Sequence, residues 1–496
     1  MLEFKSFAGN NYAWDDEVGL FIPFPPTIKA VLRELSDTNP PLKGEVIEKL
    51  SGAFKEEDIA FYYDWIQKWK RTMLQGGALP EDNSDVDLSV SNIKTHLLRH
   101  GLKQLTLSVT EDCNFKCKYC IYHGNYEYSN RANSRNYMNF AIAKKAIDYY
   151  FSLLEEGRRY NPIRKPNISF YGGEPLLNFD LIKKCVEYMD NAYNTFEKHY
   201  NLTTNGSILD DDKADWLIKN GFSIMVSLDG PEDEHDRNRV YRNGKGTFKD
   251  VMKNITKLNS RMNRKVTSIS IFDCKCDLFK REEFFSRPEI PPLNFLNQVS
   301  DVPGCNYYDQ FSEDDFLAFA EQMKKAKVHY LEDIHNQRQK GRKTSVLNHL
   351  FGLGSLRAVH EISPILPPSP LMPFTGACIP GMKLFVDVKG NYHVCERVNE
   401  TNPLGNVDEG LDFMKIREFV LDYLRHMDGC SSCKFRRSCS KCYSYFMNGT
   451  GFLYSSEVCK GIETPMLDDF SMAFTIGEMD SSYVDNIADV KLLQDE

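Results

Sequence analysis

Three cysteines crowded into one short loop restrict this chain more than any other feature. The stretch Thr110-Glu-Asp-Cys-Asn-Phe-Lys-Cys-Lys-Tyr-Cys120 sets Cys113, Cys117 and Cys120 in a C-x3-C-x2-C array. Just before it, Gln104-Leu-Thr-Leu-Ser-Val109 alternates and reads as a strand running into the loop. Soft thiolates held this close suit an iron–sulfur cluster. Three of them on a four-iron cube leave one iron free to bind a small molecule. The same array would also serve a zinc loop, or be three unrelated buried thiols. Structural zinc takes four ligands, however, and no fourth cysteine stands nearby.

At 496 residues the chain has room for two to four domains, because a single core rarely grows past ~250–300 residues. Its net charge of −9 argues against general nucleic-acid binding, which needs a basic footprint. No run of ~18 apolar residues is present, so neither a transmembrane helix nor a membrane partner is expected. The opening Met1-Leu-Glu-Phe-Lys-Ser lacks the apolar stretch of a signal peptide. A cytoplasmic, reducing setting is therefore expected, where 14 cysteines are metal ligands rather than disulfides. They cluster accordingly, three near residue 117 and seven between 378 and 459.

Residues 1–95 read as a separate module. Asn11–Phe24 has the pattern of a hairpin turning at Asp15-Asp-Glu-Val-Gly19, and Thr27–Leu35 that of a helix with Thr27 as its N-cap. Glu56–Leu74 is a longer amphipathic helix with Phe61, Trp65 and Trp69. A hairpin with three helices fits a winged-helix-like, peptide-binding module, although such aromatics serve a core equally well. The acidic, turn-rich Gly76–Asp87 reads as a linker.

From 96 to 310, strands at Leu105–Val109, Ile168–Tyr171, Tyr200–Thr204, Ile224–Leu228, Ser268–Phe272 and Phe295–Val299 alternate with helices. The helices fall near 140–156, 179–196, 210–220, 247–262 and 278–286. Such β-α units imply an α/β fold with a parallel sheet, right-handed crossovers and functional groups at the strand C-termini. Residues 311–374 read as a charged helical bridge followed by the proline-rich Pro364–Pro373. A cysteine-rich domain spans 375–465, and 466–496 is a tail, acidic and mobile from Ser481.

Polar motifs stand at those strand ends. Tyr171-Gly-Gly-Glu-Pro175 offers two glycines, Gly172 and Gly173, that let backbone approach a ligand, and Glu174 for an ammonium group. Leu202-Thr-Thr-Asn-Gly206 follows the third strand, Val226-Ser-Leu-Asp-Gly-Pro231 the fourth, then His235-Asp-Arg-Asn-Arg239. Farther on, Cys378 and Cys395 precede Cys430-x2-Cys433-x5-Cys439-x2-Cys442, with Cys459 after a gap. Zinc ribbons built from the C-x2-C pairs would use the same residues. Cys185, Cys274, Cys276 and Cys305 read as structural thiols, the last three also standing near the rim as possible late ligands.

Together these motifs resemble the radical S-adenosylmethionine (SAM) enzymes, whose hallmark is C-x3-C-x-aromatic-C after the first barrel strand; Tyr119 fills the aromatic position. The resemblance implies a partial (β/α)6 TIM-like barrel with SAM on the loop cluster. Matching positions put Gly172, Gly173 and Glu174 at the SAM amino group, and Thr204, Asn205, Ser227 and Asp229 at its ribose and carboxylate. Arg239 is then the carboxylate clamp, with Arg237 as the alternative.

The seven later cysteines resemble a SPASM domain, which usually holds two auxiliary 4Fe–4S clusters, making three clusters in all. By that family's ligation, Cys430, Cys433, Cys439 and Cys459 hold one, and Cys378, Cys395 and Cys442 the other. The final spacing is x2 where the usual pattern has x3, which puts the place of Cys442 in question, and 364–377 supply no eighth cysteine. The cluster nearer the barrel is then expected to have an open iron.

The implied chemistry is hydrogen abstraction by a 5′-deoxyadenosyl radical, with an external flavodoxin or ferredoxin as electron donor. SPASM proteins with an N-terminal module resemble maturases of ribosomally made peptides, here expected to hold a precursor's leader and form a cross-link. A cysteine thioether of the sactipeptide or ranthipeptide kind leads, with carbon–carbon linkage close behind. Formylglycine generation, as in anaerobic sulfatase maturases, is the other enzyme class. There an Asp directly after the second SPASM cysteine acts as base, and Glu396 holds that position. A scaffold with vestigial clusters is a third class, against which the intact cysteine arrays argue.

Overall fold

In a computed structural model, the described residues are 1–15, 20–36, 40–76, 87–129, 131, 133–262, 266–336, 345–360, 380–397, 399–430, 432–435, 439 and 441–480. The hairpin turn, most of the Gly76–Asp87 linker, the proline-rich linker, Cys378 and the residues from Ser481 lie outside them.

The chain opens with an antiparallel sheet of β1 (Leu2–Lys5), β2 (Asn11–Asp15) and β3 (Leu20–Pro23), with β2 in the middle. Helices α1 (Pro26–Glu34), α2 (Lys43–Leu50) and α3 (Glu56–Gly76) follow. Thr27 is buried inside α1 and is not its cap; Pro25 holds that position and Pro26 starts the helix, where a missing N–H costs nothing. Period-two alternation gives the sheet two working faces. Ala13 and Ile22 join Ile28, Val31, Val46, Ile59 and Ile66 in a small core under the helices. Tyr12, Trp14 and Phe21 point the other way, onto Phe470 and Phe474 from far along the chain.

Next come α4 (Val90–His100) and β4 (Gln104–Thr110). The expected boundary at 95/96 falls inside α4, whose Ile93, Leu97 and Leu98 belong to the main core. Then follow α5 (Phe140–Gly157), β5 (Asn167–Gly172), α6 (Phe179–Ala192), β6 (His199–Thr204), α7 (Asp211–Lys219) and β7 (Ser223–Ser227). They continue into α8 (Glu232–Asn238), α9 (Phe248–Met262), β8 (Val266–Phe272), α10 (Leu278–Phe285) and β9 (Leu293–Gln298). β4 to β9 lie side by side, parallel and in sequence order. This is the α/β, partial TIM-like arrangement, with every strand within two residues of the expected ends. Helix α8 had no place in the sequence reading; it starts after Pro231 with an acidic first turn, Glu232, Asp233 and Glu234.

Past α11 (Glu313–His335) and α12 (Gly354–His360), β10 (Lys383–Val386) pairs parallel with β4, and β11 (Tyr392–His393) antiparallel with β10. The order is therefore β11-β10-β4-β5-β6-β7-β8-β9, and the cysteine-rich region begins as an extension of the barrel sheet. A ribbon of β12 (Gly405–Asn406) and β13 (Gly410–Leu411) leads to α13 (Phe413–His426) and α14 (Ser456–Met479). α14 runs through residue 466, where a tail was expected. Its Met466 and Phe470 are buried because they cover the aromatic face of the N-terminal sheet. No helix among the described residues is long and apolar enough to cross a membrane.

Candidate active site

The cysteine loop leaves β4 at the C-terminal edge of the sheet and packs against the end of β5. Gly173 N–H donates to the Thr110 carbonyl (2.8 Å), and Glu174 N–H to that of Asp112 (2.8 Å). A Cβ on Gly172, whose φ is +140°, would run into the Thr110 carbonyl oxygen, and one on Gly173 into that of Asp112. The glycines thus admit the cysteine loop itself, before any ligand.

Glu174 ties three strand ends together. Its Oε1 accepts from the Thr204 hydroxyl (2.7 Å) and Leu176 N–H (3.1 Å), and its Oε2 from Asn205 N–H (2.7 Å). Asn205 Nδ2 donates to Asn114 Oδ1 (2.9 Å) and lies 3.9 Å from Cys113 Sγ. Burial pushes the Glu174 carboxyl up to about 7, although the donors from Asn205, Thr204 and Leu176 favour its charged form. A cation placed beside it would restore the charge, which is the environment an ammonium group needs.

A second knot forms beyond Ser227, which is half-buried at the end of β7. Asp229 Oδ2 accepts from Tyr119 Oη (2.6 Å) and Arg239 Nε (3.0 Å), and Oδ1 from Ile271 N–H (3.0 Å). Burial alone would raise the Asp229 carboxyl, but Arg239, His235 and Arg281 outweigh it and hold it below its usual range. Arg239 Nη1 lies 4.0 Å from Cys117 Sγ, so this arginine sits beside the loop. Arg237 is turned away to Asp273 Oδ2 (2.7 Å), which also accepts from Tyr307 Oη (2.6 Å) and Asn238 Nδ2 (3.1 Å). Asp273 and Tyr307 escaped the sequence reading. Asp273 directly follows β8, a strand-end position like the others, while Tyr307 had no such signal.

The described later cysteines, from Cys395 to Cys459, fall into two neighbourhoods. Cys439 is within electrostatic reach of Cys433 and Cys459, and Tyr454 of Cys459, Cys430 and Cys433. Arg397 sits within reach of both Cys395 and Cys442. Cys185, Cys274 and Cys276 are buried and Cys305 half-buried. A local feature recurs: the backbone N–H two residues on donates to the sulfur of Cys113 (from Phe115), Cys395 (from Arg397) and Cys433 (from Phe435), each at 3.4 Å. Such N–H···S bonds favour thiolates and tune iron–sulfur clusters, so the residues present fit that kind of group.

Glu396 lies between the two regions. Its Oε1 is 3.5 Å from Lys383 Nζ, while its buried Oε2 has no hydrogen-bond partner among the described residues. Burial would raise its carboxyl, yet the charges of Lys383, Arg397 and Arg131 hold it below its usual range. Its charge also reaches Tyr171, near the end of β5, whose phenol burial and then that charge push up.

Comparison with known proteins follows the same lines. Residues 107–273 match the radical SAM superfamily. A cysteine-type anaerobic sulfatase-maturating enzyme of Clostridium novyi is 28% identical over 203 residues, 40% of this chain and 51% of that protein. The radical SAM cyclopropyl synthase TigE of Paramaledivibacter caminithermalis is 26% identical over 223 residues, 44% of this chain and 45% of that protein. An uncharacterized protein of Methanocaldococcus jannaschii is 37% identical over 160 residues, 32% of this chain and 50% of that protein. The chain thus spans about half the length of the curated relatives it matches. Among solved structures, histidine-tagged anSMEcpe with bound AdoMet superposes with a TM-score of 0.57 at 20% identity, over 78% of this chain and 97% of that one. The stretch of this chain that matches the radical SAM superfamily, residues 107–273, is the domain built around the cysteine loop.

Proposed function

We propose that this chain is an enzyme that modifies a ribosomally made precursor peptide, forming a cross-link that begins at a cysteine thiol. The observation that carries the radical reaction is the convergence of Glu174, Asn205 and Arg239 on the loop of Cys113, Cys117 and Cys120. Those cysteines would hold the cluster that binds SAM. Glu174 would take the SAM ammonium and Arg239 its carboxylate, with Asp229 and Tyr119 fixing the guanidinium. Gly172, Gly173, Thr204, Asn205 and Ser227 line the remaining contacts. Cys430, Cys433, Cys439 and Cys459 would hold one auxiliary cluster, and Cys378, Cys395 and Cys442 another. When bound, the clusters and SAM supply reductive SAM cleavage, a radical that takes hydrogen, and an acceptor for the returning electron.

The chain's own part is to place the peptide. β3 is an edge strand of the N-terminal sheet, and an extended leader there would gain main-chain hydrogen bonds. Peptide-directed relatives support this class: sulfatase-maturating enzymes match in sequence, and native anSMEcpe is solved with a Cp18Cys peptide. A flavodoxin or ferredoxin donor in a reducing cytoplasm completes the reading.

One observation favours formylglycine generation as a second reading. The buried Glu396 Oε2, without a hydrogen-bond partner among the described residues, is placed to take a proton from a substrate group. The test is incubation of anaerobically reconstituted chain with SAM, reductant and peptides encoded by whichever short cysteine-bearing reading frames sequencing finds beside its gene. Loss of two hydrogen atoms, with the cysteine tied to another residue in fragment spectra, supports the cross-link. An aldehyde at the cysteine position supports the second reading, and unchanged peptide with intact SAM cleavage contradicts both for that substrate.

A further inference from the structure

The N-terminal sheet was expected to stand apart, yet it packs against the C-terminal segment that carries Cys433. Trp14 on β2 is fully buried (0% exposed), and its indole N–H donates to the Lys434 carbonyl (3.0 Å), 420 residues away. Lys434 directly follows Cys433, and Phe435 next to it donates its N–H to Cys433 Sγ (3.4 Å). Phe435 is buried in one cluster with Phe4, Trp14, Met466 and Phe470, and Cys433 packs against that cluster. The Trp14 ring lies 4.6 Å from Phe21 and 5.9 Å from Phe470 by centroids. Phe470 is on α14, whose first turn carries Cys459. Phe7 N–H reaches the same helix at Thr475 Oγ1 (2.8 Å). One face of the sheet therefore grips two separate chain segments that each bring a cysteine to the same group.

We propose that Trp14 is a positioning residue for the auxiliary cluster of Cys430, Cys433, Cys439 and Cys459, and that the N-terminal sheet is the outer wall of that site. The inference rests on the reading of those four cysteines as ligands. Between Gly429 and Cys442 the described backbone has no regular element beyond one short 3-10 turn ending at Cys430, to whose carbonyl the Cys433 N–H donates (3.2 Å), so no helix or strand fixes the peptide after Cys433. Trp14 does this from outside. Its N–H pins the carbonyl of the planar Lys434–Phe435 peptide, which sets the direction of that same peptide's N–H, on Phe435, toward the Cys433 sulfur. Losing the pin should loosen that N–H···S bond, leaving the sulfur more electron-rich and the cluster harder to reduce.

The test uses full-length chain in which Cys113, Cys117, Cys120, Cys395 and Cys442 are replaced by Ala, so that this group alone retains iron. In that background Trp14→Phe keeps the ring and removes the donor, while Trp14→Ala removes both. Iron per chain, the rate of iron release to a chelator, and the cluster's midpoint potential are measured anaerobically. Expected are iron in the background, release faster by roughly fivefold in Trp14→Phe and by more than tenfold in Trp14→Ala, and a more negative potential in Trp14→Phe. Trp14→Phe should leave the melting of the iron-free chain near that of the background, which separates positioning from bulk packing. Background-like release and potential in both variants would overturn the proposal while leaving the ligand reading intact. A background that holds no iron would overturn the ligand reading and the proposal with it.

Discussion

The two cysteine-bearing regions reach their geometry by opposite routes. Cys113, Cys117 and Cys120 hang from the end of a central strand, and Gly173, Glu174 and Asn205 brace their loop with short hydrogen bonds from neighbouring strand ends. The cysteines from 395 to 459 are spread over turns and a helix start, with β10 and β11 as their link to the sheet. Their support comes from outside, through Arg131 at the Cys395 carbonyl (3.4 Å), Trp14 at that of Lys434, and the packing of α14. A region braced by a sheet is arranged before anything binds. A region of turns depends on what it binds and on what covers it.

The largest expected effect follows from removing iron. Chelation of reconstituted chain should open the region from about residue 428 to 459 to protease while β4–β9 stay protected, because metal binding to such a region is folding energy on the order of 10 kcal/mol. Equal protection of the two regions after chelation would break the comparison. Next comes Phe470→Ala, at a fully buried ring shared by the N-terminal sheet and α14. It should cost ~3–5 kcal/mol in denaturant unfolding and quicken iron loss from the C-terminal region alone.

Gly173→Ala should cost ~1–3 kcal/mol, since its Cβ meets the Asp112 carbonyl oxygen and must push the braced loop aside. SAM binding measured by calorimetry should weaken with it, while the C-terminal irons stay in place. Smallest is Lys327→Ala, which breaks an ion pair to Asp468 on α14 with both partners partly exposed. A change of ~0.2–1 kcal/mol is expected, so a larger one would mean that α14 is held by charge rather than by its aromatic face.

What could be read beforehand follows the same division. The strands β4 to β9 and the Cys113 loop with its Gly-Gly-Glu partner are local patterns, each written in consecutive residues. The pairing of β10 with β4, Lys383 against Gln104, joins segments with no shared periodicity. Likewise Trp14 and Lys434 carry no mark of each other. One signal did exist: Tyr12, Ala13 and Trp14 alternate faces with no solvent-facing polar residue among them, which is the pattern of a strand covered on both sides. Thr27 was misplaced as a cap because Pro25-Pro26 starts the helix earlier than a hydroxyl signal suggests.

The central claim is that the loop of Cys113, Cys117 and Cys120 is where SAM is bound and cleaved. The most direct measurement compares reconstituted parent chain with a variant carrying Ala at all three positions, scoring iron and 5′-deoxyadenosine together. The account predicts about twelve irons in the parent, about four fewer in the variant, and no 5′-deoxyadenosine from it. A variant that loses those irons yet still forms 5′-deoxyadenosine would contradict the account.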